Sequence, residues 1–288
     1  MPAWLPLALA CALFTAVSDT LSKQILKTDN EYLVALVRVG GCAAILGSLL
    51  LWRGWQVPQE GFWLTILLIA PMDVVGSLLL NRALRLSPLY LTVPFLALTP
   101  VFMLAASWLF LKEAPSALGL AGILLVALGG YVLQVSKARE GVWAPVRAVL
   151  SEPGARLMLF VSALFALSGT LGRKAVLLSE PFTMSGLYYP LVLAGLLPVA
   201  GPRASFRFRG ALSTRLLLLG LAVSESLSIL THFTAIHMTQ APAMISVKRL
   251  STVLAVFFGW AFLRESRPAE HLLGTGLMVA GVFLIARG

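Results

Sequence analysis

Residues 108–122, WLFLKEAPSALGLAG, return 152 positions later as residues 260–274, WAFLRESRPAEHLLG. An apolar run, a basic–acidic pair and a glycine recur in the same order, and the correspondence continues outward. At this offset Trp108, Phe110, Leu111, Glu113, Gly122, Leu125 and Gly129 stand opposite Trp260, Phe262, Leu263, Glu265, Gly274, Leu277 and Gly281. Asp73 falls opposite Glu225 and Ala83 opposite Ala235, while ALFTAVSDTLSK at 12–23 resembles ALFALSGTLGRK at 163–174 with the offset shortened by one. The 288 residues therefore divide into two related halves, 1–147 and 148–288.

The medium in which the halves fold follows from composition. With 59% hydrophobic residues, 12% charged residues and a mean hydropathy of +0.90, the chain lies outside the range of soluble domains. Apolar runs of about 18–23 residues, each able to cross a hydrocarbon core of about 30 Å, recur along its length. Ten such spans are expected, near 4–22, 33–52, 62–81, 89–111, 117–135, 157–178, 183–201, 215–236, 241–263 and 270–286. The runs are apolar on nearly all sides, unlike the alternating strands of a membrane barrel, so the fold expected is an all-α bundle. The first run starts at Pro2 without a positively charged n-region and reads as a retained first helix. Cys11 and Cys42 both fall within spans, which implies neither a disulfide framework nor a metal site.

Five spans per half is an odd number, so a duplicated unit must enter the membrane from opposite sides in its two copies. Inverted repeats of this kind supply two nearly equivalent conformations and a site near the midplane between them, which is transporter architecture.

The segments that carry the repeat, ALTPVFMLAASWLFLKEAPSALGLAGILLVALGGYVL (97–133) and RLSTVLAVFFGWAFLRESRPAEHLLGTGLMVAGVFLI (249–285), resemble the end of an EamA-type half of the drug/metabolite transporter superfamily. The second copy places Thr252 where the first has Pro100, removing the proline on which a kink there would depend. The resemblance covers the whole chain. It implies ten helices in two inverted five-helix halves, a cavity lined mainly by spans 1–4 and 6–9, and spans 5 and 10 at the periphery. It also implies an exporter of small polar metabolites, amino acids and related compounds among them, with a lipid-linked carrier flippase or a multidrug/cation exporter as the alternative.

Orientation is read from the basic residues of the connections. One set of alternate loops holds Lys23, Lys27, Arg82, Arg85, Lys137, Arg139, Arg147, Arg156, Arg203, Arg207, Arg209, Arg215, Arg264 and Arg267; the other, with the termini, holds Arg53, Lys112, Arg173, Lys174 and Arg287. Fourteen against five makes the first set cytoplasmic and places both termini outside a plasma (inner) membrane. Scattered over loops without interleaved aromatics, the net charge of +10 fits anionic lipid headgroups as partners and not a nucleic acid.

Function is sought among ionisable residues inside the spans, because a charge at mid-bilayer is costly unless it faces a cavity or a partner. Glu225, Ser228 and His232 recur at i, i+3 and i+7, and Asp73, Ser77 and Asn81 at i, i+4 and i+8, so each set forms one polar stripe. Lys248 and Ser251 share a face of the ninth span. Arg249 is turned by about 100° from Lys248 on the helix, so only one of the two is expected to point straight into the cavity. These stripes would present opposite charges to a zwitterionic or polar metabolite; the competing expectation is an internal salt bridge of Glu225 or Asp73 with Lys248, Arg249 or Arg38. An enclosed carboxylate can carry a proton through a transport cycle, with Glu225 the first candidate, Asp73 the second and His232 a possible relay. Tyr188 and Tyr189 before Pro190, with Phe14, Phe95 and Phe165, offer rings for stacking or for packing. Pro71 in the third span and Pro94, Thr99 and Pro100 in the fourth are expected to interrupt their helices. Gly122 and Gly129, like Gly274 and Gly281, are expected to let helices approach closely. Lys112–Glu113 and Arg264–Glu265 are expected as hydrated corners, and Trp4, Trp52, Trp55 and Trp63 as interfacial anchors. The chain carries no HExxH helix, GxSxG elbow or phosphate-binding GxxxxGK[ST] loop, so no enzyme and no cofactor is expected.

Overall fold

Without water, each backbone group must find its partner within the chain, and helices do this segment by segment. The computed structural model describes residues 2–87, 92–132, 152–204, 212–263 and 272–287, and among these it contains helices and no strand. They are α1 (Trp4–Ile25), α2 (Glu31–Arg53), α3 (Phe62–Leu86), a 3-10 segment (Val93–Leu98) that runs into α4 (Thr99–Leu111), and α5 (Ala117–Val132). The second half contributes α6 (Pro153–Leu177), α7 (Pro181–Ala200), α8 (Leu212–Met238), α9 (Ala241–Lys248), α10 (Leu250–Leu263) and α11 (Leu272–Arg287). Among the described residues seven segments are long and apolar enough to cross a bilayer, the last of them, Ala241–Gly259, running through α9 into α10. Phe95–Leu111, Ala117–Gly130 and Leu273–Arg287 are apolar but shorter. The protein is an all-α, multi-pass membrane protein.

Local chemistry sets several boundaries. The Asn30 side chain accepts a hydrogen bond from the Leu33 amide at 3.0 Å and caps α2. Pro153 and Pro181 open α6 and α7, where a missing N–H costs nothing. Gly54 ends α2 at φ 81°, a backbone conformation that a side chain would strain. The interruption expected at Pro71 does not occur: α3 runs through it, as α7 runs through Pro190, because loss of one donor is tolerated within an otherwise bonded helix packed against protein.

Four pairs of helices make the most extensive contacts: α1 with α8, α2 with α7, α3 with α6, and α5 with α11. Exchanging the two halves maps this set onto itself. The pairs are antiparallel. Thr15 meets Ser228 while Ser18, further along α1, meets Glu225, earlier on α8. Across α5 and α11, a Cβ on Gly122 would come within 2.5 Å of the Gly281 carbonyl oxygen, and one on Gly129 within 2.6 Å of that of Gly274. Between lipid-immersed helices there is little hydrophobic drive, so such backbone approach and the dispersion contact it permits hold the pair together. A Cβ on Gly40 would lie 3.7 Å from Leu193 and one on Gly47 would lie 3.7 Å from Pro190, which makes α2 and α7 antiparallel as well. Equivalent helices of the two halves therefore run in opposite directions where they meet.

Outward faces are apolar, with Leu64, Leu67 and Leu68 of α3 and Leu216 and Leu219 of α8 all exposed. Trp52, Trp55 and Trp63 are exposed, but Trp4 is 9% exposed and belongs to the core, so it is no surface anchor. The Lys112–Glu113 corner also differs from expectation. Lys112 ends α4 in the left-handed region (φ 56°) with its ammonium 5.1 Å from the Trp108 ring, while Glu113 turns inward to Arg173 of α6. Arg264–Glu265 lies outside the described residues.

Candidate functional site

A cavity of about 170 Å³ lies where α1, α2, α3, α6, α7, α8, α9 and the 3-10 segment before α4 converge. Both polar stripes face it: Glu225, Ser228 and His232 from α8, and Asp73, Ser77 and Asn81 from α3. Arg38, Tyr188, Lys248 and Arg249 line it as well; Ser251, buried at 2% exposure, does not. Of the three phenylalanines proposed for stacking, only Phe165 is in the lining.

The cavity's electrostatics turn on Arg38. Its Nη1 donates to Asp19 Oδ1 at 3.0 Å and its Nη2 lies 2.8 Å from Glu225 Oε2, so one guanidinium from α2 ties α1 to α8. Ser18 donates a further hydrogen bond to Glu225. A planar, always-charged fork suits this double duty better than an ammonium would. The internal salt bridge weighed from sequence thus forms for Glu225 with Arg38, and not for Glu225 or Asp73 with Lys248 or Arg249.

Asp73 has different surroundings. Tyr188 of α7 donates to its Oδ2 at 2.7 Å, and its Oδ1 is buried with no hydrogen-bond partner among the described residues. Three further lining atoms share that condition: Asn81 Oδ1, His232 Nδ1 and Arg249 Nε. Buried polar atoms are ordinarily satisfied, so four orphans around one cavity mark a place for water or a ligand.

Lys248 and Arg249 both line the cavity because the ninth span is not one helix. α9 ends at Lys248, Arg249 forms a turn, and α10 begins at Leu250. The sequence expectation that one of the two must turn away assumed an uninterrupted helix. The break forms without a proline, since Thr252 turns its amide (3.0 Å) and its hydroxyl (2.7 Å) onto the Arg249 carbonyl. In the first half the corresponding segment is the 3-10 stretch ahead of Thr99 and Pro100. Arg249 Nη2 donates to the Thr99 hydroxyl at 3.0 Å, joining the two irregular segments across the cavity. Irregular backbone at membrane depth is tolerated where it lines such a space.

Sequence reasoning noted Asp19 as an ionisable residue near the end of the first span but left it out of the site, and passed over Thr15 and Ser168, although all three line the cavity. Thr15 and Asp19 lie four residues apart on α1, a same-face spacing of the kind already used for α3 and α8. Among the described residues no group of three or more His, Cys, Asp or Glu side chains is placed to hold a metal ion.

Comparison with known proteins places this geometry. The model of the EamA-like transporter family matches residues 2–134 and 153–287. An uncharacterized protein of Methanocaldococcus jannaschii is 28% identical over 130 residues, which is 45% of this chain and 95% of that protein. A crystal structure of another protein superposes with a TM-score of 0.74 over 98% of this chain and 96% of its own, at 13% identity, a likeness of fold alone.

Proposed function

Because the chain belongs to the EamA-like transporter family, we propose that it is a secondary transporter that exports small polar metabolites, amino acids and related compounds, by alternating access of its two halves. The observation that carries this reading is the cavity in which both polar stripes, three cations and four unsatisfied polar atoms converge. At about 170 Å³ it is smaller than the roughly 300–1,000 Å³ of drug-sized sites, which favours a metabolite over a bulky drug or a lipid-linked sugar.

In this reading all ten apolar segments cross the membrane and the halves 1–147 and 148–288 are inverted repeats. The antiparallel meeting of α2 with α7 and of α5 with α11 supports the inversion. The balance of loop charges favours a plasma (inner) membrane location with both termini outside. Access to the cavity is then controlled at two symmetry-related places. At one face Lys23, near the end of α1, donates to the Leu84 and Ser87 carbonyls at the end of α3, at 2.5 and 2.7 Å. At the other, Arg173, near the end of α6, donates to the Ile236 carbonyl near the end of α8 and holds Glu113 through Nε at 2.9 and 3.0 Å. The acceptors Leu84 and Ile236 are equivalent at the repeat offset of 152, whereas the donors are not, since at the shortened offset of their segment Lys23 stands opposite Lys174 and Arg173 opposite Ser22. Each cation joins helices whose main packing partners lie elsewhere, α1 on α8 and α3 on α6, so releasing one would open one face while the other stays closed.

Proton coupling belongs to Asp73 in this reading more than to Glu225. Glu225 has a guanidinium on it, whereas Asp73 has no cation within ion-pair distance among the described residues and is faced by Tyr188 and, across the cavity, by Lys248. The experiment is uptake by proteoliposomes of a panel of amino acids, sugars, nucleosides and cationic dyes, with and without a pH gradient. Saturable uptake of a small polar metabolite is expected. Asp73→Asn is expected to abolish the dependence on the gradient while leaving counterflow exchange, and Glu225→Gln to impair both. Movement of the dyes alone would overturn the metabolite reading, and an Asp73→Asn variant that keeps full gradient dependence would remove Asp73 as the carrier.

A further inference from the structure

Among the described residues, the six charged side chains that line the cavity do not pair off one to one. Arg38 takes both Asp19 and Glu225. Asp73 is held by the Tyr188 hydroxyl. Lys248 and Arg249 are left side by side with no carboxylate within ion-pair distance among the described residues. Arg249 is 5% exposed, its Nη2 is committed to the neutral Thr99 hydroxyl, and its Nε is buried with no partner. Beside them on the lining, His232 Nδ1 is also buried and unsatisfied. Leaving a guanidinium buried without an anion is among the costlier defects a fold can carry. Here it lies against a space large enough to admit the anion.

From this we infer that the α9–α10 break is an anion subsite, and that the transported molecule carries a carboxylate or a phosphate that binds Lys248 and Arg249 Nε, with His232 Nδ1 as an additional contact. The inference rests on the reading of this cavity as the substrate site and names the chemical class that the site takes. A guanidinium edge beside an ammonium suits an oxyanion, since the bonds are charge-assisted and two donors fix its orientation.

The repeat shows that this charge belongs to one half only. At the offset of 152, Lys248 and Arg249 correspond to Leu96 and Ala97 in the 3-10 segment, and Leu96 lines the same cavity. A backbone break built twice thus carries cations once, so a substrate lies with its anionic group toward α9 and α10. The remainder points to Leu96, Phe165 and the Asp73–Tyr188 pair.

The test uses the purified full chain in detergent. Inorganic phosphate, acetate and lactate are titrated at constant ionic strength made up with chloride, with acetamide and methylamine as neutral and cationic counterparts, and thermal stability is followed. Saturable stabilisation by phosphate or by the carboxylates is expected, and which of the two binds more tightly assigns the source of the oxyanion. Lys248→Gln and Arg249→Gln are each expected to weaken it about tenfold, as loss of one charged hydrogen-bond donor does. Lys248→Arg is expected to retain it; because Lys248 is only partly buried, that variant separates a charge requirement from a folding defect. Stabilisation by methylamine alone, no saturable effect of any anion, or equal affinities in wild type and both glutamine variants would overturn the subsite. Counterflow in proteoliposomes separates this from the transport reading. A neutral or cationic solute exchanged while every anion is ignored sinks the subsite and leaves a transporter. Anions that bind without any solute being exchanged sink the transporter and leave the subsite.

Discussion

Arg38 holds two carboxylates from two helices at once, and its removal would leave both of them largely buried without their counter-charge. Arg38→Leu is therefore expected to destabilise the protein by about 3–5 kcal/mol, as truncation of a buried ion pair does. Arg38→Leu combined with Asp19→Asn and Glu225→Gln should recover most of that loss, because no uncompensated charge then remains. Thermal unfolding in detergent, compared across the single and triple variants, checks this. Equal losses in both would mean that Arg38 matters through packing alone. The pairing was only half legible in the sequence. Glu225 and Arg38 stood out as charges within apolar runs, but the choice of Arg38 over Lys248 depends on the distance between α2 and α8, which no spacing along one helix encodes.

The glycines of α5 and α11 show the same division at the scale of the element. Two glycines seven apart in each copy pointed to a close helix contact, and the structure pairs Gly122 with Gly281 and Gly129 with Gly274. Gly281→Leu would push a side chain into the Gly122 carbonyl and is expected to cost at least about 1–3 kcal/mol, the usual range for overpacking. Gly276 lies on the same helix with nothing within 4 Å of its Cβ direction, and Gly276→Leu should change stability by less than about 1 kcal/mol. Unfolding midpoints of the two variants check the contrast. The broken ninth span was not legible in this way. The family pattern ties the break to a proline, and here a threonine hydroxyl on the Arg249 carbonyl holds the turn instead. Pro71 misled in the other direction, since a proline disrupts only where the freed carbonyl and the bend are not absorbed by neighbours.

At the scale of the whole molecule the two cation latches, Lys23 on the end of α3 and Arg173 on Glu113 and the end of α8, are both engaged. If each closes one face, releasing either admits reagents from one side only. With Cys11→Ala and Cys42→Ala as background, Ser168→Cys places one thiol on the cavity wall. Adding Arg173→Met is expected to raise its labelling by a membrane-impermeant maleimide several-fold from one side of sealed vesicles, and Lys23→Met from the opposite side. Labelling increased from the same side by both would remove the alternating role of the pair.

Composition and periodicity determined by themselves that the chain lives in a membrane, is helical and is built twice, because apolar run length, the pitch of a helix and a repeat offset are properties of the chain as a line. The same periodicity singled out the two polar stripes, since residues three or four apart on one helix share a face whatever surrounds it. The tertiary structure alone decided which charges cancel. It brought Asp19, Arg38 and Glu225 together from three helices, broke the ninth span at Arg249, and thereby turned two adjacent cations onto one cavity with no carboxylate within ion-pair distance among the described residues. Such pairings depend on distances of a few ångströms between segments far apart in sequence, and in a low-dielectric interior those distances determine which group is neutralised and which is left to bind.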